Sequence, residues 1–501
     1  MSVYKLPIYN MSVLGMCFIS ALANPSYATM PSNTMMPAYA IVDTHQMQCF
    51  DVEKLQDCST AKQGQDAQYH GYQKYYADLG DGTVQDAVTG LIWSQSTDLN
   101  HDGKINSADK VSYSEAIAYI ESLTLAGEDD WRLPSIKELY SLVLFDGQDP
   151  SGIKLKVGQS ELIPFIDHET FSISTGDTRA GERLIDSQFV SSTKYVSTTM
   201  HGDDTVFGVN FIDGRIKGYG MKTPDGRTKT FYLLAVRGNT SYGINDFSEH
   251  ESGIITDKAS GLIWQKKDSA YSMNFIDALG YCENLTLAGK EDWRLPNVKE
   301  LQSIVDYSRA PDTANSAAID PLFDSREIQN EQGTKDYGNY WSSTTHINLK
   351  DGAYGAYVAF GRSTGFMHGQ WLDVHGAGAQ RSDPKVGGAK QFPQGQGPQG
   401  DSIRIENSVR CVRAGGVQKI IGGQIIESVQ MRKPMIIENY PDTEGRRQST
   451  SGHNPILMLD KNADGKISKE EARGPLKNDF NRLDENSDGF ISMGEIPNRH
   501  N

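Results

Sequence analysis

Near the end of this chain, two twelve-residue stretches set oxygen-bearing side chains at identical intervals. The first holds Asp460, Asn462, Asp464, Lys466, Ser468 and Glu471. The second holds Asp484, Asn486, Asp488, Phe490, Ser492 and Glu495. Positions one, three and five offer side-chain oxygens, and position twelve offers a carboxylate long enough to bind through both of its oxygens. Position seven binds through its backbone carbonyl, so Lys466 and Phe490 are tolerated there. Ca²⁺ takes about six to eight such oxygens around one point. Gly465 and Gly489, at position six, permit the sharp turn the wrapping requires. Ile467 and Ile491, at position eight, are expected to pair the two loops through a short β-bridge. Asp98, Asn100, Asp102, Lys104, Asn106 and Asp109 repeat the pattern once more, with the shorter Asp in the last place. Calcium is therefore the cofactor this sequence predicts.

The C-terminal stretches read as an EF-hand pair over residues 453–501. Pro455 leaves little room for a helix before the first loop, and Pro497 cuts short the helix after the second. A sensor-type opening of helices is not expected. A structural pair, with Kd of about 10⁻⁴–10⁻³ M, suits an extracellular setting. Other chemistry is sparse. The sequence has no His-Glu-x-x-His, no Gly-x-Ser-x-Gly and no P-loop, and His368 and His375 have no evident third ligand. The chain is expected not to be an enzyme.

The elements that must hold these loops are announced by composition. At 501 residues the chain has room for about three domains. Its 48 basic and 64 acidic residues give a formal charge of −16, which repels phosphate backbones, so no nucleic acid is expected as partner. Residues 1–28 carry one charge, Lys5, ahead of an apolar stretch from Met11 to Ala23 and small residues at Ala21, Ala23, Ser26 and Ala28. That order is a secretory signal, too short to span a membrane. An exported protein, extracellular, at the cell surface or periplasmic, with no transmembrane anchor, is expected.

The chain also repeats itself. Gly90-Leu91-Ile92-Trp93 returns as Gly261-Leu262-Ile263-Trp264, and Asp130-Trp131-Arg132-Leu133-Pro134 as Asp292-Trp293-Arg294-Leu295-Pro296. Leu123 to Gly127 returns at Leu285 to Gly289, Lys137-Glu138-Leu139 at Lys299-Glu300-Leu301, and Val236-Arg237 at Val412-Arg413. A unit of about 170 residues is a duplicated domain, not a solenoid repeat. Its grammar predicts a helix capped by Ser112 and Glu115 and stopped by Gly127. A second helix follows, capped by Ser135 and Glu138 (Asn297 and Glu300), and then a strand-rich half. The class is α+β. The loop 98–109 lies in an insertion, since Trp93 and Trp131 stand nine residues further apart than Trp264 and Trp293.

Export makes the cysteines readable as disulfides. Cys49 and Cys58 are expected to close a small loop. Cys282 and Cys411 align with Ile120 and Ala235, both apolar; joint replacement is what a bonded pair predicts.

The strings Gly-Leu-Ile-Trp, Asp-Trp-Arg-Leu-Pro, Tyr340-Trp341-Ser342-Ser343-Thr344 and Val409-Arg410-Cys411-Val412-Arg413 resemble the Legionella collagen-like protein C-terminal domain family. The resemblance covers about residues 76–240 and 243–415. Copy one departs from it by lacking the cysteine pair, and Val196 is aligned with Trp341. The resemblance implies a C-type-lectin-like fold and a surface role in adhesion to glycans or sulfated polysaccharides.

The organisation expected is a signal at 1–28 and an N-terminal segment at 29–75 with the Cys49–Cys58 loop. Tandem domains follow at 76–240 and 241–415, then a linker at 416–452 whose apolar patches, Ile420–Ile426 and Met435–Ile437, dock as an edge strand, then the EF-hand pair. The Trp-Arg pairs are expected to be core plus ion pair. Two surfaces are candidates for a ligand: the basic run Arg215, Lys217, Lys222, Arg227 and Lys229, for which a solvated hairpin is the alternative, and a rim of Tyr337, Tyr340, Trp341 and Trp371 beside the Gly- and Pro-rich loop 376–400, for which core packing is the alternative. The function expected is a calcium-binding surface protein that adheres to a glycan or other polyanionic envelope or matrix polymer. The alternative is a structural envelope protein whose EF-hand pair docks to a protein partner.

Overall fold

The computed structural model describes residues 37–152, 161–200, 202–223, 225–250, 252–420, 432–437, 467–469, 480, 484 and 489–491. The signal at 1–28 lies outside them. In the first repeat, alternating apolar residues build β1 (Tyr76–Asp78), β2 (Thr83–Asp86) and β3 (Leu91–Ser94). Two helices follow, α1 (Tyr113–Ser122) and α2 (Ile136–Ser141), each opened by the capping box expected of Ser112 and Ser135. Then come β4 (Gln188–Thr199), β5 (Asp203–Asn210) and β6 (Arg215–Gly220). Finally β7 (Val236–Gly238) returns to pair with β3, closing a sheet of order β7-β3-β2-β1.

The second repeat has the same order: β8 (Phe247–His250), β9 (Ile254–Asp257), β10 (Leu262–Gln265), α3 (Phe275–Glu283), α4 (Val298–Ser303), β11 (Asn339–His346), β12 (Tyr354–Ala359), β13 (Gln380–Pro384) and β14 (Val412–Ala414). Its small sheet runs β8-β9-β10-β14. The architecture is α+β and strand-rich. One local expectation needs correction. Helix α1 ends before Leu123, and Gly127 serves instead, with Ala126, a tight turn closed by the Leu125–Glu128 bridge. Both turn residues have positive φ, which is the conformation a two-residue hairpin turn prefers.

The repeated motif has a physical reason at each position. Trp131 and Trp293 are buried, and each indole N–H donates to the carbonyl of Leu125 or Leu287. The Arg pairs with the Glu at the third position of the next helix: Arg132 with Glu138, Arg294 with Glu300. The Pro carbonyl accepts from the Ser192 or Ser343 N–H. The Thr two residues past the first Ser then accepts the first helical N–H, Ile136 to Thr193 and Val298 to Thr344, at 3.0 Å in both copies. This equivalence moves the alignment. Val190, not Val196, stands where copy two has Trp341. Ser191 and Ser342 make the same bond to a neighbouring-strand carbonyl, and Val190 and Trp341 precede them. Val190 is buried with Ile120 and Ala235, while Val196 is exposed.

The two repeats fuse into one sheet, β11-β12-β13-β6-β5-β4. The seam is β13, which lies inside the loop 376–400. It pairs with β12 over five positions and meets β6 at Ile216 and Gln380. Gly218 of β6 donates to the His375 carbonyl, and a Cβ there would sit 2.5 Å from that oxygen, so only Gly permits the approach. The lysine of each Lys-Glu-Leu motif crosses to the other repeat. Lys137 donates to the Ser303 carbonyl at 2.6 Å and Lys299 to the Ser141 carbonyl at 2.9 Å. Each thus satisfies the C-terminal end of its partner's helix. Burial lowers both amines, Lys137 to about 8 and Lys299 to about 7.

Residues 38–70 strap the second repeat. Gln46 brackets Thr345, donating to its carbonyl at 2.6 Å and accepting its N–H at 2.7 Å. Asp66 is buried and accepts from the hydroxyls of Thr44 at 2.8 Å and Thr344 at 2.5 Å. Burial, then the charge of Asp43, pushes its carboxyl up to about 7, well above 3.8. A carboxyl raised on folding stabilises fully below its unfolded pKa, and that stability is lost as pH rises through the folded one. Stability from Asp66 therefore falls between about pH 4 and pH 7. Asp66→Asn is expected to gain at least about 1 kcal/mol relative to wild type on going from pH 5 to pH 8. Denaturant unfolding at both pH values checks this; a flat difference would exclude Asp66 as the titrating group.

The Cys49–Cys58 and Cys282–Cys411 bridges are both present, and the second ties α3 to the residue before β14. The expected docking of the linker is observed in part. Met435–Ile436 pairs with Glu161–Leu162, Gln418–Lys419 pairs with Tyr69–His70, and the buried Arg432 forms an ion pair with Asp146 at 2.5 Å. Within the patch Ile420–Ile426 only Ile420 is described, and its N–H donates to the Gln68 carbonyl.

Candidate calcium loops

The inserted loop 98–109 is organised by its own side chains. Asp98 accepts from the Gly103 N–H at 2.8 Å and the Asp102 N–H at 3.2 Å. Asn100 accepts from the Asp102 N–H at 2.9 Å, and Asp102 from the Lys104 N–H at 2.8 Å. Gly103 has φ of +79°, the conformation its place in the pattern demands. Asn106 caps a short 3-10 turn, Ser107–Asp109. Asp109 is fully buried and serves as the clasp of the loop. One oxygen accepts from the Leu99 and Asn100 N–H groups, the other from Asn106 at 2.9 Å. Each ionised carboxylate has about four acceptor sites, so Asp98 and Asp102 keep free lone pairs for a hard cation. The donor set fits calcium. Among the described residues no three His, Cys, Asp or Glu side chains converge as a ready-made metal cluster. The loop thus supplies the turn and the oxygens.

Outside the loop, Ser107 is tied by its hydroxyl to Asp177 at 2.8 Å, and the buried Lys110 pairs with Glu182 at 2.5 Å. These anchors join the insertion to the segment before β4.

In the C-terminal pair, Ser468, Asp484 and Phe490 are described; Asp460, Asn462, Asp464, Lys466, Glu471, Asn486, Asp488, Ser492 and Glu495 lie outside the described residues. What is described matches the expected loop. Ile467–Ser468 pairs antiparallel with Phe490–Ile491, Ile467 opposite Ile491. Asp484 accepts from the Gly489 N–H at 3.1 Å, the same first-to-sixth bond that Asp98 makes to Gly103. Gly489 has φ of +84°.

The other candidate surfaces divide. In the basic run, Arg215 and Lys217 are turned inward: Arg215 pairs with Asp149 at 2.6 Å, and Lys217 pairs with Asp213. Lys229 lies 4.5 Å from the Tyr219 ring, and burial lowers its amine to about 8. Lys222 and Arg227 remain exposed, Arg227 against Asp225. The five do not form one basic face. In the aromatic rim, Tyr337, Tyr340 and Trp341 are core residues. Trp371 is half-buried on the hairpin Thr364–Met367/Gln370–Asp373, with its ring 5.4 Å from Phe366. Sequence reasoning missed a cleft of about 650 Å³ between the repeats, lined by Arg132, Glu138, Ser192, Thr193, Asp306 and Asp320 among others. Its lining is drawn from separate segments between Arg132 and Asp320, so no local pattern announces it.

Duplicated α+β domains sharing one sheet, with a candidate calcium loop inserted in the first and an EF-hand pair appended, define a calcium-binding protein built on a tandem repeat. The family description of the Lcl C-terminal domain matches residues 82–237 and 253–374, more than half of the chain, and the chain belongs to that family. The inserted loop 98–109 falls within the first match. The EF-hand description matches residues 457–471 and 477–496. No curated protein and no solved structure matches the chain. The Lcl domain points to an extracellular or cell-surface protein, and among the described residues no helix is long and apolar enough to cross a membrane.

Proposed function

We propose that this is an exported, non-enzymatic surface protein whose tandem Lcl domains, C-type-lectin-like in fold, adhere to a glycan or other polyanionic envelope or matrix polymer. Calcium holds its loops in shape and takes no part in a reaction. The observation that carries this reading is the Ile467–Ile491 pairing with the Asp484–Gly489 turn, which couples two calcium loops back to back on a chain of this family. The Phe366–Trp371 hairpin is the aromatic surface left for sugar stacking once the rest of the rim is core.

Calorimetric titration of the full chain is expected to find three calcium ions, two after Asp98→Ala, and one after Asp460→Ala with Asp484→Ala. Fewer than two ions in the parent would remove the EF-hand assignment. A glycan array with and without EDTA, using the parent and Trp371→Ala, tests adhesion; no binder under either condition would end that reading. The same pairing of Ile467 with Ile491 also favours a second reading, in which the loaded pair docks to an envelope protein. Capture of a partner by the full chain, and not by one ending at residue 452, would favour it.

A further inference from the structure

The two repeats carry the same surface, and only one of them is covered. In each, the Ser-Ser-Thr bulge lies over the start of the second helix, and the Thr hydroxyl accepts a helical N–H. That leaves the hydroxyl proton to donate. In the second repeat it goes to Asp66, while the ring of Tyr69 lies 5.6 Å from the Arg294 guanidinium. The chain's own segment Asp66-Ala67-Gln68-Tyr69 thus supplies a carboxylate and, three residues on, an aromatic ring. Beneath it Ser343 and Thr344 are buried, and the Arg294 side chain is 4% exposed.

In the first repeat the matching wall is open. Ser192 is exposed, Thr193 is half-buried, and the Arg132 side chain is 29% exposed. Among the described residues nothing accepts the Thr193 hydroxyl proton, and Nη1 of Arg132 is shielded from solvent without a hydrogen-bond partner. These residues form one wall of the 650 Å³ cleft; Asp306 and Asp320 of the second repeat stand in the other. Both acids already cap their own turns, accepting from Ser308 and Leu322.

We propose that this cleft is a docking site for an extended segment of a protein partner bearing an aspartate followed three residues later by an aromatic residue. The aspartate accepts from Thr193 beside Arg132, the ring covers the Arg132 guanidinium, and backbone or basic donors face Asp306 and Asp320. The partner repeats on copy one what residues 66–69 do on copy two. A second molecule of this protein is not the favoured occupant, because its own Asp66 is already buried. The inference stands whether or not the protein adheres to a glycan.

The test is fluorescence anisotropy of the full-length protein with a labelled peptide of residues 62–72 added in trans. Saturable binding is expected, weakened at least tenfold by Asn at the peptide's aspartate. It is also expected to weaken at least tenfold in Ser192→Trp, which fills the cleft from an exposed position and leaves the Arg132–Glu138 pair in place. Thr240→Trp, at another exposed residue lining the cleft, is a second block should Ser192→Trp unfold. Absence of saturable binding, or equal binding by both blocked variants, overturns the proposal. So does full displacement of the peptide by a sugar, which would make the cleft a glycan site, or a peptide-induced dimer.

Discussion

Replacing Arg294 by Met is expected to cost about 3–5 kcal/mol of stability, and the same change at Arg132 about 1 kcal/mol or less. The two arginines occupy one motif position and hold the same partner, a helix-capping glutamate. Their surroundings differ. Arg294 and Glu300 are 4% and 2% exposed and joined by two bonds of 2.6 Å. Removing the cation leaves a carboxylate with the Asn297 N–H as its remaining partner and no water to replace the charge. At Arg132, 29% exposed, water reaches the site through the open cleft. Arg294→Met with Glu300→Leu together should recover most of the loss, since an apolar pair of similar volume carries no orphan charge. Denaturant unfolding of the four proteins measures this. Equal losses at the two arginines would mean that burial is not what separates them.

Cleaving the Cys282–Cys411 bridge, by Ala at both positions, is expected to cost about 5 kcal/mol. Ser at both Cys49 and Cys58 is expected to cost about half as much. The difference comes from the chain closed by each: 129 residues against 9. Both estimates are chain-entropy values before any packing change. The first repeat shows what the unbridged site looks like, with Ile120 and Ala235 in the cysteine positions and Val190 where Trp341 stands. Chemical denaturation of the two variants gives the ratio. A larger loss from the Cys49–Cys58 pair would show that local structure, not loop length, sets the contribution.

What the structure describes of the candidate loops was legible because it is local. The calcium loops, capping boxes and motif repeats are spaced along the chain by rules of hydrogen bonding within a turn or a helix. The bridge between Cys282 and Cys411 was legible for a different reason, since the first repeat serves as an internal comparison. Three things were hidden. Residues 376–400 are rich in Gly and Pro, yet five of them, Gln380–Pro384, are the seam strand, because pairing partners on both sides supply what local propensity does not. Arg215 read as a surface base because its partner Asp149 lies far back in the chain, and Lys217 because its partner Asp213 falls just ahead of the basic run. Phe189-Val190-Ser191-Ser192-Thr193 and Tyr195-Val196-Ser197-Thr198-Thr199 match the motif about equally well as strings. Only the bonds of Ser192 to Pro134 and Thr193 to Ile136 choose the first.

The strap has a consequence in time. Gln46 can close on Thr345 only when a stretch of 299 residues between them has been made. At the usual pace of synthesis, about 5–20 residues per second, that interval is roughly 15–60 s. For that interval the bulge-and-helix surface of the second repeat does not yet exist, and Asp66 has no Thr344 to bind. The bulge-and-helix wall of the first repeat, residues 132–138 and 190–193, is made about 150 residues earlier in the chain. The strap is therefore made ahead of both copies of the surface it covers, and the copy it does not occupy in the finished fold is made before the one it does.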